Sequence, residues 1–346
     1  MDRLGQINKS LQLLARSCVH AHLCKGSVLP FGEEYPKPGG LIEFCGESGT
    51  AKTECLLNFA VSCILPPDWN GYALGGIGSG VVFIDTQSQF SMLRAFTLLE
   101  KRVTSSISST DVSPVREGGV LQLDDVAGGS TVGQRSELHS TDQGTRREEH
   151  GERPTADEIE GFIRSCLEKL YVIRCYSRHQ LLITLHSLEN FLANKTNIGI
   201  AMIDSWSAFY WMDRASFGDQ LSLAENCQKV LTTALKKLLN DHQLVVFLTK
   251  NGSFRLTGKQ VNRQRGSPIS PSVGQASAEA EKVPFSADFG SSELKRLITE
   301  QYVLERSEQL SESGDTQIIF KATRTHPKPQ KTKHFMISEK GLGAVR

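Results

Sequence analysis

The stretch Leu41 to Glu54, LIEFCGESGTAKTE, constrains the rest of the chain most. Leu41 to Cys45 is an apolar run of strand length. Gly46-Glu47-Ser48-Gly49-Thr50-Ala51-Lys52-Thr53 follows, and behind it Leu56, Phe59, Ala60 and Cys63 recur at helical intervals. A buried strand turning through glycines into a helix that begins Lys-Thr is the build of a phosphate-binding loop. Its backbone N–H groups and the helix N-terminus would surround an anion with positive partial charge. Lys52 would reach the terminal phosphates of ATP, and the Thr53 hydroxyl would take one position on Mg²⁺. The usual pattern has glycine just before the lysine, where this chain has Ala51. If Ala51 takes a left-handed conformation, the strain is about 1–2 kcal/mol, on the order of tenfold in affinity. The plainer alternative is an ordinary glycine turn between a strand and a helix.

With 346 residues the chain can hold one large domain or two small ones around a substantial core. A net charge of +1 does not imply a wholesale nucleic-acid coat, so any such surface must be local. No apolar run reaches the roughly 20 residues of a membrane span, and MDRLGQINKSLQLLARSC has no signal-peptide core. The cysteines are scattered through apolar patterns, which favours reduced thiols in the cytosol or nucleus.

Residues 1–40 read as a short N-terminal segment and linker. In it Cys18, His20, His22 and Cys24 alternate. Zinc motifs usually space paired ligands further apart, so one face of a strand fits the alternation better than a metal site. The helix after the loop stops at Pro66-Pro67, and the glycine-rich run to Gly80 reads as a flexible hairpin connection. Val81 to Asp85 is a second buried strand, followed by a helix carrying Phe90, Leu93, Phe96 and Leu99. From about 104 to 155 Ser, Thr, Gly and charge dominate, which predicts a disordered insertion.

Order resumes with a helix from Asp157 to Lys169, a strand from Leu170 to Cys175 and a helix from Arg178 to Ala193. Ile198 to Ile203 is a third buried strand closed by Asp204-Ser205. An acidic residue there suits a Walker-B-type position, with Asp204 holding Mg²⁺ through water and Ser205 near the γ-phosphate. Alternatively Asp204 caps the next helix. Trp206, Phe209, Tyr210 and Trp211 could stack on bases, but helical spacing beside a core strand favours packing against the sheet or a partner subunit. Leu223 to Asn240 is amphipathic through Leu223, Cys227, Val230, Leu231, Ala234, Leu235 and Leu238, and Leu244 to Leu248 is a fourth strand. A flexible basic loop at about 252–292 carries Arg255, Lys259, Arg263 and Arg265. It reads equally as a DNA-backbone contact or a solvated linker. The end predicts antiparallel strands at Leu297–Leu304, Gln317–Ala322 and His334–Ile337.

Strands alternating with helices from Leu41 to Leu248 predict an α/β fold with a mostly parallel central sheet flanked by helices, a P-loop NTPase core spanning 41–346. LIEFCGESGTAKTE, VVFIDTQSQFSMLRAFTLLEKR, IAMIDSWSAFYWMDR and VVFLTKN together resemble the RecA-type recombinase core, in wording nearest the eukaryotic recombinase paralogues. The resemblance covers roughly residues 39–103 and 157–251. It implies a phosphate loop at Gly46–Thr53, a magnesium ligand at Asp204 and candidate γ-phosphate sensors at Ser205 and Asn251. Where the family has its catalytic glutamate this chain has Gln87, and a carboxamide cannot accept a proton from the attacking water. Where the family has Thr-Asn-Gln it has Thr249-Lys250-Asn251.

With Ala51, these departures imply weak or static ATP and Mg²⁺ binding with poor hydrolysis. The resemblance further implies a nuclear role in homologous-recombination repair of DNA breaks and crosslinks, assisting recombinase assembly on single-stranded or branched DNA. The implied partners are the D-type recombinase paralogue and other paralogue subunits, with no membrane. The competing expectation is a competent enzyme, either a DNA-dependent ATPase or a P-loop kinase.

Overall fold

The computed structural model describes residues 36–110, 153–217, 221–256, 282–285, 292–310, 316–329 and 332–345. A nine-stranded sheet organises them, in the order β13-β12-β11-β10-β1-β7-β6-β4-β5. Its strands are β1 (Leu41–Gly46), β4 (Gly80–Asp85), β5 (Leu170–Arg174), β6 (Ile198–Asp204), β7 (Val245–Asn251), β10 (Glu300–Leu310), β11 (Thr316–His326), β12 (Lys333–Ser338) and β13 (Gly341–Ala344). From β5 across to β10 every neighbouring pair is parallel, and from β10 to β13 every pair is antiparallel. The α/β architecture with a mostly parallel sheet and C-terminal antiparallel strands is as the sequence predicts.

Helices cover both faces, so β1, β4 and β6 are buried along their whole length and read as continuous apolar runs. One face holds α1 (Lys52–Ile64), α2 (Met92–Thr110) and α3 (Ala156–Leu167) over Phe44, Phe83, Met202 and Phe247. The other holds α4 (Arg178–Asn194), α6 (Leu221–His242) and α7 (Ser292–Leu297) over Leu41, Ile84, Ile203 and Leu248. A short helix, α5 (Tyr210–Phe217), follows β6. Trp206 and Phe209, just ahead of it, are buried in the second core, which decides for packing over base stacking at those two residues.

The glycine-rich connection is a hairpin, as expected, but a packed one. β2 (Asp68–Trp69) and β3 (Tyr72–Ala73) pair across Asn70 and Gly71. Both turn residues have positive φ, as a two-residue hairpin of this hand requires. Trp69 stacks on Phe162 of α3 at 4.3 Å.

Several boundaries move. The predicted insertion from 104 begins too early, because α2 continues to Thr110 with Val103 and Ile107 buried. The serines and threonines that masked this turn bond back along the helix, Thr104 Oγ1 to the Glu100 carbonyl and Ser108 Oγ to that of Thr104. At its other end, Thr155 caps α3 in a capping box with Glu158; residues 111–152 lie outside the described residues. Leu93 and Val230, which fall on apolar helical positions, are 76% and 49% exposed. The loop predicted at 252–292 is ordered at its ends, where β8 (Ser253–Leu256) and β9 (Lys282–Phe285) form an antiparallel ribbon and α7 follows. β10 begins at Glu300 rather than Leu297, and it pairs parallel with β1 as well as antiparallel with β11. The Cys18–Cys24 alternation lies outside the described residues. No described helix is long and apolar enough to cross a membrane.

Candidate nucleotide site at the carboxyl edge of the sheet

The parallel strands β1, β4, β6 and β7 end together, and the loop Gly46 to Thr53 leaves β1 at that edge. Gly46 is required by space: a Cβ there would lie 2.5 Å from both the Leu304 carbonyl and Thr50 Oγ1. Gly49 and Ala51 have φ of 79° and 68°. Ala51 therefore sits in the left-handed region, at the N-cap of α1, with no side chain to cap the helix. The first N–H groups of α1 have no intrahelical acceptor, which is the physical basis of an anion site.

Lys52 is buried and donates to the Gly46 and Glu47 carbonyls at 2.9 and 2.6 Å. Burial pushes its ammonium below the usual lysine range, opposed chiefly by the Asp204 carboxylate. Thr53 Oγ1 donates to Asp204 Oδ2 at 2.6 Å, and Thr249 Oγ1 donates to Asp204 Oδ1 at 2.5 Å. Burial raises the Asp204 carboxyl, and the Thr249 and Thr53 hydroxyls, with Lys52, pull it back down. Lys52, Thr53 and Asp204 thus converge on one face, which is the donor set that a magnesium–triphosphate would use. The alternative reading of Asp204 as the cap of the next helix is not what its hydrogen bonds show.

The remaining candidates separate. Ser205 is fully buried and its hydroxyl pairs with Ser207 Oγ at 3.0 Å; Ser207 Oγ in turn accepts the Asn251 N–H at 3.0 Å. Ser205 is therefore a packing residue and not an open phosphate contact. Asn251 closes β7 opposite Gly46, and the next N–H, of Gly252, bonds to the Gly46 carbonyl at 3.0 Å. Gln87 lies beyond β4, partly exposed. Asp85 accepts the N–H groups of Gln87, Gln89 and Phe90, so this second strand-ending carboxylate shapes the turn that carries Gln87. Arg255 is on β8, and Lys259, Arg263 and Arg265 lie outside the described residues.

Two features were not foreseen. Thr249 stands at the end of a recognised strand, but only the folded register brings its hydroxyl to Asp204. Arg94 of α2 ion-pairs with Glu54 in the first turn of α1, and also donates to the Ser338 and Glu339 carbonyls. Asn58, one turn further along, accepts from the Leu342 N–H at 3.2 Å. The turn between β12 and β13 is thereby fastened to the loop's own helix.

No protein-family model matches the chain. DNA repair protein XRCC2 of Mus musculus is 30% identical over 217 residues, 63% of this chain and 58% of that protein. The DNA repair protein XRCC2 homolog of Arabidopsis thaliana is 29% identical over 285 residues, 78% of this chain and 70% of that one. DNA repair protein RAD51 homolog 3 of Cricetulus griseus is 25% identical over 219 residues, 63% and 47%. The chain therefore matches 58% of the length of the mouse protein and less than half of the hamster one. These likenesses bear out the resemblance read from the motifs: the chain is similar to proteins named XRCC2 and, more distantly, to RAD51 homolog 3.

Proposed function

We propose that this chain works in homologous-recombination repair of DNA as a recombinase-paralogue subunit that binds nucleotide but hydrolyses it poorly. The observation that carries the reading is the pairing at one edge of an intact cradle with a missing base. Lys52, Thr53 and Asp204 converge, while the turn behind Asp85 offers the carboxamide of Gln87. Residues Gly46 to Thr53 would hold ATP, and Thr53 with Asp204 would hold Mg²⁺, which would neutralise phosphate charge when bound. Without a carboxylate at Gln87, no group there takes a proton from water. Ala51 and Lys250 are the further departures that weaken the site.

Such a subunit acts through assembly, in the nucleus, within a heteromeric complex that includes the D-type recombinase paralogue and engages single-stranded DNA through Arg255 and the basic residues that follow it. The end strand of the sheet supports this reading. No described strand pairs with the outer edge of β5. Beside it lies an apolar groove of about 570 Å³ lined by Val172, Ile173, Leu188 and Phe191, with Ile183 65% exposed at its mouth. An unpaired strand edge beside an apolar groove is a ready surface for a partner chain. The buried Trp206 and Phe209, by contrast, offer a partner nothing.

The test is co-purification with candidate paralogues, with bound nucleotide and turnover on single-stranded DNA measured in the same material. Ile183→Glu is expected to release the partner while leaving the melting temperature of the chain unchanged. Lys52→Ala is expected to remove bound nucleotide and leave the complex assembled. Appreciable ATP turnover that Lys52→Ala abolishes would instead favour the competent-enzyme reading.

A further inference from the structure

Side chains alternate along a strand, so β1 sends Ile42 and Phe44 toward α1 and sends Glu43 and Cys45 to the opposite face. There, under α7, lies a cavity of about 330 Å³ that the phosphate loop does not share. Its floor holds Glu43, which is completely buried. Glu43 Oε1 accepts from Gln301 Nε2 at 2.6 Å, and Gln301 Oε1 accepts from Thr325 Oγ1 at 2.8 Å. Glu43 Oε2 has no hydrogen-bond partner among the described residues. A buried carboxylate oxygen left without a donor is costly, and Glu43 is one of the residues that line the cavity. Lys250, 4% exposed, lines the same cavity. Leu294 and Ile298 form an apolar wall, and the exposed Lys295 and His326 stand at the rim.

We propose that this cavity takes a nucleobase, guanine by preference. Guanine carries N–H donors beside the O6 acceptor on one edge. Glu43 Oε2 is placed to accept from those donors, and Lys250 to donate to O6. The apolar wall covers the base's face, as in pockets that receive an extruded base. The Lys295 ammonium at the rim meets the phosphate that follows the sugar. Thymine, with a single ring N–H between two carbonyls and no amino group, suits the floor less well. The base can come from a free nucleoside or from single-stranded DNA; the second source rests on the DNA reading above, and the first does not.

Saturation-transfer NMR with deoxyguanosine, which has no phosphate for the loop to hold, tests the pocket in the full chain. Fluorescence anisotropy with an oligo-dT strand, and with the same strand carrying one central dG, tests the strand source. The expected result is a deoxyguanosine signal that Lys52→Ala leaves unchanged, and that both Glu43→Gln and the cavity-filling Ile298→Trp remove. One dG should tighten binding about tenfold, a gain that the same two variants erase. A deoxyguanosine signal without oligonucleotide binding supports the pocket with a free ligand and overturns the DNA source. Oligo-dT binding without a deoxyguanosine signal, or a signal that survives both variants, overturns the pocket and leaves the DNA reading standing.

Discussion

The Thr53 hydroxyl donates to the Asp204 carboxylate at 2.6 Å although 151 residues separate the two in the chain. Thr249 donates to the other oxygen of the same carboxylate. A helix start and two strand ends are thus tied at one point, beneath which Lys52 turns back to the Gly46 and Glu47 carbonyls.

Ala51 sits at φ 68° and ψ 17°, where an L side chain costs about 1–2 kcal/mol. Ala51→Gly removes that strain, offset in part by the greater freedom of glycine in the unfolded chain. The expected outcome is a small rise in melting temperature and up to about tenfold tighter ATP binding, read by thermal shift with and without nucleotide.

Gln87→Glu places a carboxylate where the turn behind Asp85 presents a carboxamide. A positioned general base contributes about 10²–10⁴-fold, so steady-state phosphate release should rise at least about a hundredfold with single-stranded DNA present. Unchanged release would move the defect to Ala51 and Lys250.

Asp204 gives a pH prediction. Burial raises its carboxyl above the ordinary 3.8 in the folded protein, so between the ordinary and raised values the folded state binds more protons than the unfolded one. Stability contributed by this group therefore falls as pH rises through that window. Asp204→Asn should melt higher than the parent at neutral pH, and the gap should close as pH falls toward the ordinary aspartate value. The same variant should lose any Mg²⁺-dependent shift in melting temperature.

Gly341 has φ 106°, and a Cβ there would lie 2.1 Å from Asn58 Oδ1. Gly341→Ala should cost about 2 kcal/mol or more, several degrees in melting temperature for a chain of this size. Because Asn58 lies on α1, amide exchange in the first turns of that helix should accelerate as well.

The loop, the buried parallel strands β1, β4, β6 and β7, and Asp204 were legible because each is a local pattern: a continuous apolar run, a turn residue, an acidic strand end. What escaped was non-local or disguised. Val103 and Ile107 sit among serines and threonines whose hydroxyls are spent inside the helix. Leu93 and Val230 match a helical period, yet each faces solvent in the described structure. Ser205 looks like a phosphate ligand in sequence, but its hydroxyl is engaged by Ser207. The parallel pairing of β10 with β1, and with it the wall that Leu304 gives Gly46, is set by a register that no local window contains.

That pairing sets the order in which the chain can be completed. The Leu41 N–H bonds to Thr299 Oγ1, 258 residues further on. At ribosomal rates of about 5–20 residues per second, β1 waits on the order of ten to fifty seconds for its neighbour to emerge. During that interval a strongly apolar segment has one side bare, so yield in cells should depend on chaperones that shield nascent chains. Any interruption of synthesis before Glu300 would leave the phosphate loop leaning on a wall that was never built.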